Sequence, residues 1–243
     1  MSKFYSEIAR YYDHIFPLSK ATVDFIKESV GEVPKDILDV ACGSGLYSQA
    51  LNEAGYHMTA IDLDEQMIGQ LQQKNNGIQA KVLNMLEIGN LDQMFDMIFC
   101  IGNSIVHLKN NQEIRNFLES CYQSLKPQGK LLLQVVNYDR ILDKGIKSLA
   151  TIENENIGLR FERNYDYLQE QHKINFNTVL TVNGERLENN VLLHPIKSEE
   201  LLELFKQAGF SDVEFFGSFK KEPFHSLGSI PLVAIGTKNT LVI

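Results

Sequence analysis

The sequence predicts an α/β fold: a seven-stranded, mostly parallel sheet with helices on both faces, plus an inserted antiparallel β-meander. An apolar strand over residues 37–40 runs into Gly43 and Gly45 and then into a helix. Similar apolar segments alternate with amphipathic helical segments along most of the chain, which is typical of a parallel sheet covered on both sides. Residues 139–194 instead show apolar residues at every second position, which indicates antiparallel strands.

Composition restricts the classes of function. The 243 residues are 44% hydrophobic, so one domain with an embellishment can bury a full core. A net charge of −8 argues against a nucleic-acid partner, because phosphate contacts need clustered lysines and arginines. The three cysteines match no metal-ligand spacing, so we expect no metal and a reducing compartment. No apolar segment is long enough to span a membrane, and we expect a cytoplasmic protein without a membrane partner.

Two helices are predicted before the first strand. Apolar and aromatic residues at helical spacing predict one over residues 3–14, which must stop before Pro17. The second is expected over residues 20–30. The tyrosines of the first helix are expected to pack against the sheet; they are Tyr5, Tyr11 and Tyr12.

The glycine loop after the first strand predicts a ligand site. Gly43 and Gly45 permit positive φ and let a ligand approach the backbone, beside the N–H groups that open the helix over 46–53. A dinucleotide fingerprint would place a third glycine at Ser48, so the fit to NAD is poor. The carboxylate of Asp39 would repel a pyrophosphate and suits a cationic ligand.

The second strand, predicted over residues 57–63, brings two acids to the same rim. Asp62 closes the strand, where it can accept hydrogen bonds from both hydroxyls of a ribose. Asp64 is expected to cap the helix over 65–74, and such a cap is the alternative for either acid.

The remaining segments complete the sheet. The third strand is predicted over 79–83 and the fourth over 95–101. A helix over 113–125, a turn over 126–129 and a strand over 130–137 follow. Ser198 is expected to cap a helix that runs to Ala208, and two strands over 213–219 and 232–237 give the sheet an antiparallel edge. In the insert, Asn183-Gly184 predicts a type I′ hairpin, and the position after the fifth strand puts the meander over the ligand mouth.

Several segments together resemble one enzyme family. The run over residues 39–45, Asp-Val-Ala-Cys-Gly-Ser-Gly, is similar to the first motif of the class I S-adenosylmethionine-dependent methyltransferases. The segment over 102–108 closely resembles the corresponding loop of glycine N-methyltransferase and its glycine/sarcosine relatives. The helix, Lys-Pro-x-Gly turn and strand that follow also look like the family's pattern. The resemblance covers about residues 36–138 and 196–238.

The resemblance implies a Rossmann-like methyltransferase domain of residues 1–138 and 195–243, with a helical lid at 1–31. It implies S-adenosylmethionine as cofactor, S-adenosylhomocysteine as product and a small-molecule acceptor that takes the methyl group by in-line displacement. The insert, residues 139–194, matches only in outline some bacterial small-molecule and sugar N-methyltransferases. We expect it to cover the acceptor side, and the alternative is that it forms the interface of a homodimer.

The resemblance also implies the site residues. The cofactor set is Tyr12, Asp39, Ala41, Gly43, Gly45, Asp62, Leu63, Met67, Asn84, Met85, Ile101 and Gly102. The catalytic set is His107, Asn103 and Tyr12, the tyrosine acting as a lid. Leu63, Met67 and Met85 are expected to offer apolar faces to adenine, with core packing as the alternative for Met85. Asn84 stands where the family usually has aspartate, so it can accept a hydrogen bond but brings no charge.

The loop after the fourth strand leaves alternatives open. Asn103 can stabilise a turn, Ser104 can cap a short helix, and His107 can be a core histidine. As a functional residue, His107 would serve a hydroxyl acceptor as a base, whereas an amine needs a weak proton acceptor at most. The sequence leaves nitrogen and oxygen acceptors open. A non-catalytic S-adenosylmethionine-binding regulatory module and a nicotinamide-dependent dehydrogenase are the alternative functions.

Overall fold

The computed structural model describes residues 8–74 and 77–239. Its strands are β1 (Asp36–Val40), β2 (His57–Asp62), β3 (Gln79–Val82), β4 (Phe95–Cys100), β5 (Leu125–Val136), β6 (Ser148–Asn154), β7 (Leu159–Leu168), β8 (Lys173–Val182), β9 (Glu185–Leu193), β10 (Asp212–Phe216) and β11 (Pro231–Thr237). Its helices are α1 (Tyr12–Ile15), α2 (Lys20–Val30), α3 (Leu46–Glu53), α4 (Glu65–Gln73), α5 (Asn111–Ser124), α6 (Tyr138–Asp143) and α7 (Ser198–Gln207). Short 3-10 helices cover Ala9–Tyr11, Met85–Leu91, Ser104–His107, Glu155–Ile157 and Gln169–Gln171.

Seven strands form one sheet in the order β10-β11-β5-β4-β1-β2-β3. The first five strands pair in parallel, whereas β11 is antiparallel to both of its neighbours. The predicted seven-stranded, mostly parallel sheet is confirmed. The antiparallel strand lies one position in from the edge, because β11 is the more apolar of the last two strands. Its Leu232, Val233 and Ala234 are buried, whereas no residue of the edge strand β10 is fully buried.

The sheet buries both of its faces under helices. In β4, Ile98 and Cys100 pack into one core together with Phe117 of α5 and Phe205 of α7. The alternate residues Met97 and Phe99 pack into a second core with Phe25 of α2 and Leu51 of α3. Because successive side chains of a strand point to opposite faces, a strand buried on both sides must be apolar throughout. This explains the nearly continuous apolar strands of the sequence.

The insert forms a four-stranded antiparallel sheet in the order β6-β7-β8-β9. The predicted hairpin connects β8 to β9: Val182 pairs with Glu185, and Asn183 and Gly184 both have positive φ, at 49° and 84°. The start of the insert differs from the prediction, because residues 138–143 form the helix α6 before the first strand of the meander. Asn137 caps that helix by accepting a hydrogen bond from the N–H of Arg140 at 3.2 Å. The helix therefore begins directly after β5.

Two predicted local features are different in the structure. Residues 126–129 belong to β5, where the pairing with β4 is irregular: Phe95 pairs with Leu125, and Met97 pairs next with Lys130. Ser198 does not cap α7. Glu200 accepts from the N–H of Lys197 at 2.9 Å, and Asp139 accepts from the N–H of Ser198 at 3.0 Å. Carboxylates are stronger partners for the N–H groups of a helix start than a hydroxyl is.

The first predicted helix is only partly described. Phe4 and Tyr5 lie outside the described residues, and the described part consists of the 3-10 helix and the short helix α1, which ends two residues before Pro17. In the described chain the longest helix is α5, with 14 residues, and none has the length and apolar character needed to cross a membrane.

Candidate functional site

The loop between β1 and α3 is a tight turn of three left-handed residues. Ala41, Gly43 and Gly45 have φ values of 57°, 55° and 77°. The space around two of them is small, because a Cβ on Gly43 would lie 2.9 Å from the Tyr12 ring and one on Gly45 would lie 2.6 Å from Leu71. Glycine is therefore required at Gly43 and Gly45 for both conformation and packing. Because Gly43 and Gly45 have no side chains, a ligand can approach the backbone of the predicted glycine loop closely.

Asp62 joins the end of β2 to this loop. One of its carboxylate oxygens accepts from the N–H of Gly43 at 2.9 Å, and the other accepts from the N–H of Asp64 at 2.9 Å. The N–H of Leu63 also interacts with this carboxylate, which keeps acceptor capacity for a further partner. Burial raises the pKa of the Asp62 carboxyl above its ordinary value. Asp64 caps α4, as predicted, by accepting from the N–H groups of Gln66 and Met67. The structure thus places Asp62, and not Asp64, beside the glycine loop.

Asp39 lies beneath the loop and not on its ligand side. The residue is 3% exposed, and its carboxyl accepts from the hydroxyl of Ser48 at 2.7 Å. Burial raises the pKa of Asp39 to about 7, and the neighbouring carboxylate of Asp62 acts in the same direction. The expected direct contact between Asp39 and a cationic ligand is therefore not provided in this conformation. Asp39 instead places a titratable group under the glycine turn.

The predicted adenine-binding residues have different surroundings. Leu63 is 43% exposed and offers apolar surface at the rim. Met67 is only 2% exposed, so it offers almost no surface to a ligand, and its expected contact with adenine is not supported. Asn84 caps the 3-10 helix that follows by accepting from the N–H of Leu86 at 3.0 Å. Met85 packs partly against the main core, which is the alternative given for it.

The loop after β4 is held by the neighbouring strand β5. The N–H of Gly102 donates to the side-chain oxygen of Gln134 at 2.8 Å, and Gly102 has open space where a Cβ would project. Asn103 has a positive φ of 70°. Its amide oxygen accepts from the N–H of Val136 at 2.9 Å, and its amide nitrogen donates to the hydroxyl of Tyr138 at 3.0 Å. The geometry favours the alternative in which Asn103 stabilises the turn.

His107 ends the 3-10 helix of this loop and is exposed. It is therefore not the buried core histidine of the alternative interpretation. Surrounding protein atoms still desolvate the ring enough to lower the pKa of His107 below its ordinary value of 6.5. Ser104 does not act as the cap of this short helix: its hydroxyl donates back to the carbonyl oxygen of Ile101 at 3.1 Å, and Ile101 is half-buried at the end of β4.

The N-terminal segment lies on the glycine loop. The Tyr12 ring faces Gly43 at the distance given above, and the carboxylate of Asp13 accepts a hydrogen bond from the hydroxyl of Ser44. Tyr12 also packs beside Ile8, Ile15 and Phe161 in a small apolar cluster. Contact with the loop and with the meander supports the lid interpretation of Tyr12.

The meander uses its apolar face within the chain. At one end of that face, Phe161 packs on the N-terminal segment, with its ring centroid 6.0 Å from that of Phe16. At the other end, Tyr165 and Ile174 belong to the main core. The N–H of His194, just after β9, donates to the carbonyl oxygen of Val106 at 2.7 Å. The meander therefore contacts both the lid and the loop that carries His107.

Sequence reasoning missed several residues that support the site. Ser48, Gln134, Tyr138 and the Asp13–Ser44 pair are polar residues that bond to loops distant in the chain. The available signal was their position. Ser48 lies in the first turn of the helix after the glycine loop. Gln134 interrupts the apolar segment of residues 131–136, where a polar side chain must find a partner.

Known proteins resemble the chain in sequence and in fold. A family model described as "Methyltransferase domain" matches residues 37–129. The chain is 30% identical over 218 residues to the "Putative methyltransferase YqeM" of Bacillus subtilis (strain 168), with 85% of this chain and 86% of that protein covered. It is 29% identical over 204 residues to a glycine/sarcosine N-methyltransferase of Halorhodospira halochloris, with 81% and 73% covered. The structure of an S-adenosylmethionine-dependent methyltransferase from Clostridium acetobutylicum ATCC 824 has the same fold, with a TM-score of 0.79 at 16% identity, covering 98% of this chain and 100% of that one.

Proposed function

We propose that this chain, which belongs to the class I S-adenosylmethionine-dependent methyltransferases, transfers the cofactor's methyl group to a nitrogen or oxygen atom of a small-molecule acceptor. The observation that carries the proposal is the bond between Gly43 and Asp62, because it brings the glycine loop and an acid with spare acceptor positions to one rim. The relative named for glycine and sarcosine N-methylation supports an amine as the first acceptor to test.

The residues present fit the cofactor. Gly102 has open space at the end of β4, the strand that pairs with β1 and so lies beside the glycine loop. Asp62 would bind the ribose hydroxyls through its remaining acceptor positions, and Leu63 would contact adenine. When bound, S-adenosylmethionine supplies a sulfonium whose methyl group is already activated for displacement. Tyr12 would close the site over the glycine loop.

The protein's part in the reaction is alignment and exclusion of water. Holding the two reactants in line contributes roughly 7–11 kcal/mol in favourable cases. The lid and the meander would keep the site dry, since both already pack on each other through Tyr12 and Phe161. Asn103 would position the loop, and His107 would face the acceptor. With a hydroxyl acceptor, the lowered pKa of His107 keeps the imidazole neutral and able to take the proton.

Calorimetry with S-adenosylhomocysteine tests the cofactor site. Asp62→Ala should weaken binding by roughly 1–3 kcal/mol, because the ribose hydroxyls lose their partners. Asp64→Ala is the matched control: it removes the helix cap and should lower stability while leaving affinity within a few-fold. The wild-type protein should bind S-adenosylhomocysteine and not NAD. Equal affinities for the wild type and Asp62→Ala would exclude the ribose assignment.

A transfer assay separates an enzyme from a binding module. The protein is incubated with S-adenosylmethionine and a pool of small metabolites, and mass spectrometry detects products that have gained one methyl group. Cofactor-dependent gains support the proposed function. Tight cofactor binding without any methylated product would support the non-catalytic regulatory module instead.

A further inference from the structure

One polar side chain lies among apolar residues near the carboxyl end of the sheet. Gln134 of β5 pairs with Val233 of β11, which belongs to the second core, beneath α2 and α3. Leu132, two positions earlier in β5, is buried in the same core. Because side chains alternate between the two faces of a strand, Gln134 points to the face that carries α2 and α3. A polar group in such a place is costly unless it has hydrogen-bond partners.

The protein satisfies only one half of the Gln134 amide. Its Oε1 accepts a hydrogen bond from the N–H of Gly102 at 2.8 Å. Since a backbone N–H can only donate, this bond fixes the orientation of the amide, with the oxygen towards Gly102 and the nitrogen away from it. No residue of the described chain accepts a hydrogen bond from that nitrogen, which is accessible to solvent. Gln134 therefore presents two N–H donors beside the loop that follows β4.

Open space and a well-held loop lie next to these donors. Nothing lies within 4 Å of a Cβ built on Gly102. The N–H of Asn103 donates to the carbonyl oxygen of Gln134 at 3.1 Å, and the Asn103 side chain bonds to Val136 and Tyr138. These bonds fix the position of the loop that carries His107 relative to the end of β5. The donors of Gln134 thus have a defined place beside the open space.

The strand order puts Gln134 on the acceptor side of the site. Adjacent strands of the sheet follow in the order β5-β4-β1-β2. Asp62 ends β2, the glycine loop follows β1 and Gly102 follows β4, so a cofactor held by Asp62 and the glycine loop has β5 beyond it. Neighbouring strands lie about 4.8 Å apart, so β5 is about 10 Å from β1. Because ligands of such sheets bind outside the carboxyl ends of the strands, Gln134 faces the region next to the transferred methyl group.

We propose that Gln134 binds the methyl acceptor by donating a hydrogen bond from Nε2 to a carbonyl or hydroxyl oxygen of that acceptor. The proposal rests on the proposed function and narrows its substrate class to molecules that carry such an oxygen close to the methylated atom. The bond from Gly102 would hold the donor in orientation. A site built to bind a polar group discriminates against analogues that lack the group, since its own donor is then left without a partner. Gln134 is therefore a specificity-determining residue of the transfer.

Nuclear magnetic resonance of the glutamine side-chain amides tests this binding without any transfer. The protein saturated with S-adenosylhomocysteine is titrated with glycinamide and with ethylamine. Both probes carry an amine, and only glycinamide has a carbonyl oxygen. The Nε2–H signals of Gln134, assigned through bonds from its backbone, should shift with glycinamide and not with ethylamine. Gln207, whose amide nitrogen donates to Glu203 at 3.0 Å, is the internal control and should not move. Gln134 signals that move with neither probe, or equally with both, would overturn the proposal.

Substitutions separate acceptor binding from support of the loop. Gln134→Glu keeps an oxygen for the N–H of Gly102 and replaces only the donor nitrogen. The ratio of methyl transfer to glycinamide over ethylamine should fall roughly 10- to 100-fold relative to the wild type, with S-adenosylhomocysteine affinity and melting temperature retained. Gln134→Met also removes the oxygen, so it should lower the melting temperature as well. Gln123→Glu is the matched control: it makes the same change of charge at an exposed position just before β5, at the opposite end of that strand, and should leave the ratio unchanged.

The outcomes separate this proposal from the proposed function. If Gln134→Glu keeps the wild-type ratio and only Gln134→Met is impaired, Gln134 merely holds the loop, and the acceptor-binding role is wrong while methyl transfer stands. If the Gln134 signals shift with glycinamide but the protein methylates neither probe nor any metabolite of the pool, the binding site stands and the proposed transfer is contradicted.

Discussion

Among single residues, Asp39 should make the free energy of unfolding depend on pH. Burial raises its pKa from 3.8 to about 7, so the folded protein prefers the protonated carboxyl. The protonated carboxyl contributes fully to stability below about pH 4. This contribution is lost as the pH rises to about 7, where the loss in the free energy of unfolding reaches roughly 4 kcal/mol. Asp39→Asn cannot ionise, so its free energy of unfolding relative to wild type should increase over this range.

Denaturant unfolding at several pH values measures this difference. Asp36→Asn is the control of opposite sign, because the hydrogen bond from Lys126 holds the pKa of Asp36 below its ordinary value. The stability that this pair contributes is lost as the pH falls through the lowered pKa. Unfolding free energies of the wild type and Asp39→Asn that stay parallel from pH 4 to 8 would contradict a neutral Asp39 in the folded state.

The position of His107 on the loop after β4 predicts that its substitution lowers methyl transfer without weakening cofactor binding. Because desolvation lowers the pKa of His107, the base form is present at neutral pH, and a reaction that needs it should slow only as the pH falls below 6.5. His107→Gln should reduce turnover and remove this limb of the pH profile for a hydroxyl acceptor, with S-adenosylhomocysteine affinity within a few-fold. Asn103→Ala should instead also lower stability, since it breaks the bonds to Val136 and Tyr138. A His107→Gln variant that loses stability alone would show that its role is structural.

At the scale of elements, the start of α3 packs directly on α4. A Cβ on Gly45 would lie 2.6 Å from a methyl carbon of Leu71, which is fully buried and would have to shift within the core. Gly45→Ala should therefore suffer both backbone strain at φ 77° and overpacking, at roughly 1–2 and 1–3 kcal/mol. Gly145→Ala is the matched control, since its φ is 59° and nothing lies within 4 Å of the new Cβ. Equal losses in chemical unfolding would show that the contact with Leu71 is unimportant.

At the scale of the whole molecule, the meander and the sheet share one core. Tyr165 and Ile174 are buried together with Val106 and Ile141. A variant in which a Gly-Ser linker replaces residues 145–192 should therefore be less stable than the full chain. It should still bind S-adenosylhomocysteine, because the glycine loop and Asp62 lie outside the meander, and it should lose methyl transfer.

Calorimetry measures cofactor binding by that variant, a transfer assay measures its activity, size-exclusion chromatography measures its oligomeric state, and denaturant unfolding measures its stability. Cofactor binding with lost transfer and an unchanged oligomeric state supports the acceptor-side cover. A variant that dissociates into smaller species but still transfers methyl groups would favour the dimer-interface alternative. The Phe161–Phe16 contact within the chain is the structural argument for the cover.

The sequence by itself determined the features that depend on local backbone chemistry. Strands that are apolar on both faces need a parallel sheet covered by helices. Asp64 directly precedes a helix and caps it. Asn183 and Gly184 tolerate the positive φ values of a hairpin turn. The sequence predicts the glycine loop for the same reason, because Gly43 and Gly45 adopt conformations that few other residues reach.

Only the tertiary structure decided which polar groups are buried and what they contact. Asn103 bonds to Tyr138, 35 positions away, and therefore holds a loop; Asp39 lies under the glycine turn with Ser48. Met67 is buried by packing, although its position in the sequence predicted a contact with adenine. Arg163 and Arg160 belong to the same strand, yet among the described residues only Arg160 of these two pairs with acidic side chains. Burial and pairing depend on segments that meet only in the folded chain, so local sequence patterns do not contain them.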